Sequence, residues 1–162
     1  MTPIDRLRHL LDLFRPPVGG IRERGRQAAA VALRKGKAGP EILLVTSRDT
    51  GRWIVPKGWI EDGEDGGAAA AREAWEEAGV RGKSAPEGPV GSYSYIKTYP
   101  KRPDIRCDVG VYLLRDVTEK SHWPEEKQRK RRWMGLDDAL AALDETELRD
   151  VLRSALSSHK AA

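Results

Sequence analysis

The chain has 162 residues, with 29 Lys and Arg against 25 Asp and Glu, a net charge of +4 at neutral pH. That length suits one domain able to bury a core unaided, and a single cysteine, Cys107, excludes an internal disulfide and is expected to be a small buried residue. No run of about 18 apolar residues suggests a membrane span, a secretory signal is not expected and a cytoplasmic address follows, while the modest positive charge suits an anionic substrate without indicating nucleic acid.

Ile4, Leu7, Leu10, Leu11 and Phe14 recur at helical spacing before Pro16-Pro17 and Gly19-Gly20. This predicts an amphipathic helix and linker over residues 1–20, ahead of a single domain over 21–162. The helix is expected to pack on the body or on a second subunit, as in a homodimer; Asp5 and Asp12 interrupt its basic face and argue against a membrane-surface role. Strands are expected at 28–33, 42–45, 53–55, 90–96 and 109–114, where Val109, Val111 and Leu113 alternate, with a shorter one at 132–134. Ala68 to Ala71 favour a helix that continues through Arg72-Glu73-Ala74-Trp75-Glu76-Glu77, and two more are expected at 136–143 and across Leu148, Val151, Leu152, Ala155 and Leu156. Strands interleaved with few helices imply an α+β fold, a mixed β-sheet between helical layers.

The most informative stretch is the first of those helices. Glu73, Glu76 and Glu77 stand at i, i+3 and i+4, so three carboxylates project from one face within a turn. Each like pair costs roughly 0.2 to 0.5 kcal/mol, and the only cation within the run is Arg72, which reaches Glu76 at i+4. A hard divalent cation relieves that conflict, since Mg2+ takes oxygen ligands and completes its shell with water and substrate phosphate. Upstream, Gly58, Gly63, Gly66 and Gly67 mark a loop that brings backbone close to a ligand; Asp65 is placed to cap the helix, and Glu64 approaches the carboxylates as a fourth donor or an orienting group. A solvated acidic helix is the bland alternative for the run alone.

The pattern Gly58, five residues, Glu64, seven residues, Arg72-Glu73-Ala74-x-Glu76-Glu77-x-Gly79-Val80 resembles the Nudix box at each defined position. That resemblance implies an α/β/α sandwich and a metal-dependent hydrolase of diphosphate linkages, using Mg2+ or Mn2+. It further implies that Glu73, Glu76, Glu77, Glu64 and the backbone carbonyl of Lys57 serve the metal. Glu73 and Glu77 are then catalytic, Arg72 orients the carboxylates, and a later loop carboxylate, Glu125 or Glu126, is the candidate base. Arg52-Trp53-Ile54-Val55-Pro56 and Arg129-Lys130-Arg131-Arg132-Trp133-Met134 resemble the diphosphoinositol polyphosphate phosphohydrolase branch. Pro56-Lys57-Gly58 and Glu61-Asp62-Gly63-Glu64-Asp65 resemble diadenosine tetraphosphate hydrolases. The expected substrate is therefore a small, highly phosphorylated anion: a diadenosine polyphosphate or a diphosphoinositol polyphosphate.

Ser47, Arg48, Lys57, Lys97, Arg102, Arg106, Arg129 and Arg131 lie on loops or strand ends and are candidates for phosphate contact; basic residues are mostly exposed whatever their function. Alternation puts Arg129 and Arg131 on one side of a strand entrance, with Lys130 opposite. Tyr93, Tyr95 and Tyr99 suit either adenine stacking or cross-strand packing. His9, His122 and His159 form no ligand spacing. Lys57 stands where many relatives have glycine, and Gln27 where the diphosphoinositol branch tends to be basic. An RNA 5′-pyrophosphohydrolase, suggested by the basic run at 127–132, and a non-catalytic ligand-binding module are the alternatives; nucleic acid is disfavoured as a partner.

Overall fold

The computed structural model describes residues 24–99 and 101–157. The expected helix and linker over 1–20, and His9 and His159, lie outside them. Eleven elements follow in order: β1 (Arg24–Gly36), β2 (Gly39–Thr46), β3 (Trp53–Ile54), β4 (Lys57–Trp59), α1 (Gly66–Ala78), β5 (Val80–Ser84), β6 (Gly91–Lys97), β7 (Ile105–Glu119), β8 (Arg131–Gly135), α2 (Leu136–Ala142) and α3 (Thr146–Ser157). The eight strands form one mixed sheet, as expected. β1 and β7 run parallel from Arg24↔Arg106 to Ala32↔Leu114, and every other pairing is antiparallel.

β1 carries the reason for the layering in its own alternation. Ala28, Ala30 and Ala32 face one side, with Leu43, Val45 and Leu114, and meet Ala69, Ala70, Ala74 and Ala78 of α1. Alanine against alanine lets the helix approach the sheet closely, which matters for where its carboxylates land. Ala29 and Val31 face the other side, where Ile42, Leu44, Val109 and Val111 pack beneath Leu136, Leu140, Leu148, Leu152 and Leu156 of α2 and α3. Each side chain removed from water contributes about 25 cal/mol per Å² of apolar area.

Two strands are additional to the expected set. β4 is three residues with a central glycine, and β5 interrupts Val80 with Arg81, Gly82 and Lys83 and slips register between Arg81 and Lys83. Both lack the apolar alternation that marks a strand; β5 is a charged edge, the pattern that blunts edge pairing. Asp65 caps α1 as expected, accepting the Ala68 N–H at 3.1 Å. Gly66 and Gly67 serve a purpose different from ligand approach: a Cβ at either would run into Tyr112 or Ser84, so they let the helix start sit against the sheet.

Candidate active site

Arg72 gathers the acidic groups at the start of the site. Its Nε and Nη2 donate to both oxygens of Glu64 at 2.9 and 2.8 Å, its Nη1 to Glu73 Oε1 at 2.7 Å, and its Nη2 also to the Trp59 carbonyl at 2.9 Å. Glu76 Oε1 lies 3.7 Å from Nη1, the contact expected at i+4. The hydrogen bonds to Glu64 lead the effects that raise the guanidinium pKa further, so it stays charged. Glu64 also accepts the Glu61 N–H at 3.1 Å. Both Glu64 oxygens accept from Arg72, as an orienting group's would, and the roughly four lone-pair sites of a carboxylate leave capacity that a cation could use.

Close approach of β4 to α1 sets the depth of the site. A Cβ at Gly58 would collide with the Glu73 carboxylate, so only glycine leaves room for that group against the strand. Glu73 and Glu77 are 5% and 6% exposed, and Glu76 is half-buried. Glu77 Oε1 pairs with Arg129 Nη2 at 3.2 Å, whereas Oε2 is buried with no hydrogen-bond partner among the described residues. Burial pushes the Glu77 carboxyl up to about 8; Arg129 opposes that, and Glu73 and Glu125 add to it.

The far end of α1 is held by the segment that follows β7. A helix leaves its last four carbonyls without internal partners. Gly79, at φ +67, turns back to the Ala74 and Trp75 carbonyls. Glu125 N–H then donates to the Glu76 carbonyl at 3.0 Å, Trp123 Nε1 to the Glu77 carbonyl at 3.2 Å, Arg131 Nη1 to the Ala78 carbonyl at 2.9 Å, and Lys120 N–H to the Gly79 carbonyl at 2.8 Å. Arg131 stacks on Trp123 at 3.9 Å and pairs with Glu119 at 3.0 Å. The backbone of Glu76 and Glu77 is thus fixed from outside the helix.

The two arginines read as phosphate contacts are both held by protein groups, and Arg129 also lines the open groove beside Ser47. Arg129 and Arg131 do share a side, but that side faces α1. Arg129, its side chain 6% exposed, bridges Glu77 and Glu125 at 3.2 Å each and donates to the Thr46 carbonyl at 3.1 Å. Arg131 spends its guanidinium on the helix end. Glu125 is 6% exposed and joined to Glu77 through Arg129, whereas Glu126 is half-buried and pairs with the exposed His122 at 3.2 Å. Trp123 lay hidden in a polar stretch with no periodicity to mark it.

Ser47 and Arg48 line an open groove of about 470 Å³ with Thr46, Gly51 and the run from Glu126 to Lys130, Arg129 included. Arg48 reaches Gln128 at 3.1 Å and Glu125 at 3.4 Å. Lys57 is half-buried, its ammonium pulled below the usual lysine range by burial against the pull of Glu77 and Glu145. Lys97 and Arg102 lie with Tyr99, away from the groove, and Arg106 pairs with Asp108 at 3.6 Å. Tyr93 is a packing residue at 4% exposure.

Among the described residues no three His, Cys, Asp or Glu side chains converge closely enough to hold a metal ion. Arg72 gathers Glu64, Glu73 and Glu76, and Arg129 joins Glu77 to Glu125. Mg2+ uses only one or two protein carboxylates beside water and phosphate. The buried, partnerless Glu77 Oε2, the all-oxygen donor set and the adjacent Glu73 therefore fit a hard divalent cation.

A sequence profile of the NUDIX domain matches residues 24–155. Human diphosphoinositol polyphosphate phosphohydrolase 3-alpha is 32% identical over 120 residues, covering 73% of this chain and 68% of that protein. A Caenorhabditis elegans Ap4A hydrolase crystallised as a binary complex superposes with a TM-score of 0.56 at 22% identity, covering 85% of this chain and 99% of the other. The solution structure of the Escherichia coli ORF135 protein gives 0.62 at 20% identity over 89% and 99%. These two likenesses speak to the fold.

Proposed function

Because the chain belongs to the Nudix hydrolase family, enzymes acting on phosphorus-containing acid anhydrides, we propose that it cleaves a diphosphate linkage in a diadenosine polyphosphate or a diphosphoinositol polyphosphate. The observation that carries this reading is the carboxylate face of α1, with Glu77 Oε2 buried and partnerless beside Glu73. Retention of all three carboxylates argues against a non-catalytic module. Family members use divalent metals, and Mg2+, with Mn2+ as substitute, is the proposed ion here. Glu76 and Glu77 would hold it, with the Lys57 carbonyl nearby, and Glu73 would serve a second ion. When bound, it neutralises the diphosphate and acidifies a coordinated water.

The chain's own residues do the rest. Arg72 fixes Glu73 and Glu64, and Arg129 fixes Glu77 against Glu125, so the carboxylates are held before substrate arrives. Water oxygen attacks one phosphorus, the bridging P–O bond breaks, and the leaving phosphate keeps the bridging oxygen. Glu73 accepts the water's proton, and Glu125, buried one ion pair from Glu77, is the second candidate for that task. Arg48, Lys127 and Lys130 in the groove suit the phosphate chain, each well-formed charge-assisted contact contributing about 1.5 to 3 kcal/mol. No described helix is long and apolar enough to cross a membrane.

The test is a product-resolved panel of diadenosine polyphosphates, an inositol pyrophosphate, ADP-ribose, nucleoside di- and triphosphates and triphosphorylated RNA, each with and without Mg2+. Fastest cleavage within a polyphosphate chain supports the reading. Preference for RNA with a steep loss at rising salt would replace it, since released counterions impose such a slope.

A further inference from the structure

A run of ion pairs joins the open groove to the carboxylate face of α1. Arg48, on the groove wall, brings Nη1 to 3.4 Å from Glu125 Oε1 and donates to Gln128 at 3.1 Å. Arg129 Nε and Nη2 approach the same Glu125 oxygen at 3.3 and 3.2 Å, and Nη2 also stands 3.2 Å from Glu77 Oε1. Glu77, Glu125 and the Arg129 side chain are each 6% exposed, whereas the Arg48 side chain is 47% exposed. Of the four, only Arg48 is within easy reach of a ligand in the groove.

Charge explains what that reach can do. A buried carboxylate is costly without a cation beside it, and Arg129 is shared between two. Arg48 adds a second positive charge at Glu125. Its hold there is a single, partly exposed contact, the weak kind of ion pair, while a phosphate presents several charged oxygens to the same guanidinium. A phosphate chain lying in the groove would draw Arg48 onto itself. Arg129 would then serve both buried carboxylates without that help, and a divalent cation beside Glu77 supplies the positive charge withdrawn.

We propose that Arg48 is a positioning residue that couples the groove to the metal ligands: its transfer from Glu125 to a substrate phosphate strengthens cation binding at Glu77. The coupling rests on the diphosphate-hydrolase reading and adds to it a regulation of the same site by its own substrate. Such coupling is reciprocal, so metal bound first favours the transfer of Arg48 to phosphate by the same factor. A residue that only touched phosphate would leave metal binding by the substrate-free chain unchanged.

Removing Arg48 imitates its transfer to phosphate. Mn2+ binding by the full chain without substrate, read from the electron paramagnetic resonance of the free ion, should be about three- to tenfold tighter in Arg48→Ala than in the wild type. Arg48→Lys keeps a cation in place and should stay within about twofold of the wild type. Lys130→Ala removes a groove charge outside the run of ion pairs and, with no substrate present, should also stay within about twofold. On a Glu125→Gln background Arg48→Ala should lose its effect, because the coupling passes through that carboxylate; if Glu125→Gln does not fold, the contrast with Lys130→Ala decides. Unchanged or weaker Mn2+ binding in Arg48→Ala, an equal gain from Lys130→Ala, or a gain that persists with Glu125→Gln overturns the proposal. Mn2+ bound equally by the wild type and Arg48→Ala sinks the coupling alone, whereas a wild type that neither takes up Mn2+ nor cleaves any diphosphate sinks the hydrolase reading with it.

Discussion

Glu77 concentrates the conflict that the site must resolve. Burial raises its carboxyl to about 8 in the metal-free chain, above the ordinary 4.5. A proton bound more tightly in the folded state stabilises that state fully below about 4.5, and this contribution is lost as pH rises through about 8. A cation binds the ionised form, so Mg2+ uptake at pH 7 should release about one proton. Titration calorimetry in two buffers of different ionisation enthalpy reads this directly, and identical apparent enthalpies in both would contradict it. Arg129 is the second residue whose worth follows from burial. Arg129→Ala removes the cation shared by Glu77 and Glu125 and the donor to the Thr46 carbonyl and should cost about 1 to 3 kcal/mol, whereas Lys130→Ala, on an exposed groove residue, should change stability by less than about 1 kcal/mol. Denaturant unfolding compares them; equal costs would place Arg129 among solvated charges. From sequence the arginines at 129 and 131 looked alike. Alternation gave their shared side but not what faced it, because the partner carboxylates and carbonyls come from a helix some fifty residues earlier, Arg131 to Ala78 spanning 53 positions.

At the scale of elements, α1 was legible because its information is local: Asp65 as a cap, an alanine run and carboxylates at helical spacing. β1, β2 and β7 were legible for the same reason, through apolar runs. β4 and β5 were not, since a lysine, a glycine and a tryptophan make no period, and only the pairing with β1 makes them a strand. The segment after β7 carries its meaning entirely in long-range bonds to the end of α1. Trp123→Phe keeps an aromatic ring, though a smaller one, and removes the donor to the Glu77 carbonyl. Stability should fall by about 0.5 to 1.5 kcal/mol, and metal affinity should fall as well, by up to about tenfold, as it does when groups behind a ligand are lost. A metal titration showing unchanged affinity alongside the expected stability loss would reduce that contact to a helix cap and nothing more.

Across the whole molecule, two apolar layers of different grain set the site. Alanine-on-alanine packing lowers α1 onto β1 and β4 until Glu73 meets Gly58, while the leucine-rich layer under α2 and α3 fixes the opposite face on which Trp59 and Lys57 project. The sheet edge at β4 thus joins a carboxylate side to an aromatic, basic side. The α+β class and the one-face spacing of the α1 carboxylates were within reach of the sequence; which basic residues are bound by the protein itself needed the fold. The central claim is that the face of α1 performs metal-dependent hydrolysis. Its most direct test is the initial rate on the best diphosphate substrate at saturating Mg2+, for the wild type, Glu76→Gln and Glu77→Gln, with circular dichroism confirming the fold. Both variants should remain folded and lose turnover by about a hundredfold or more, equivalent to the several kcal/mol at stake in the transition state; rates within a few-fold of wild type in both would contradict the account.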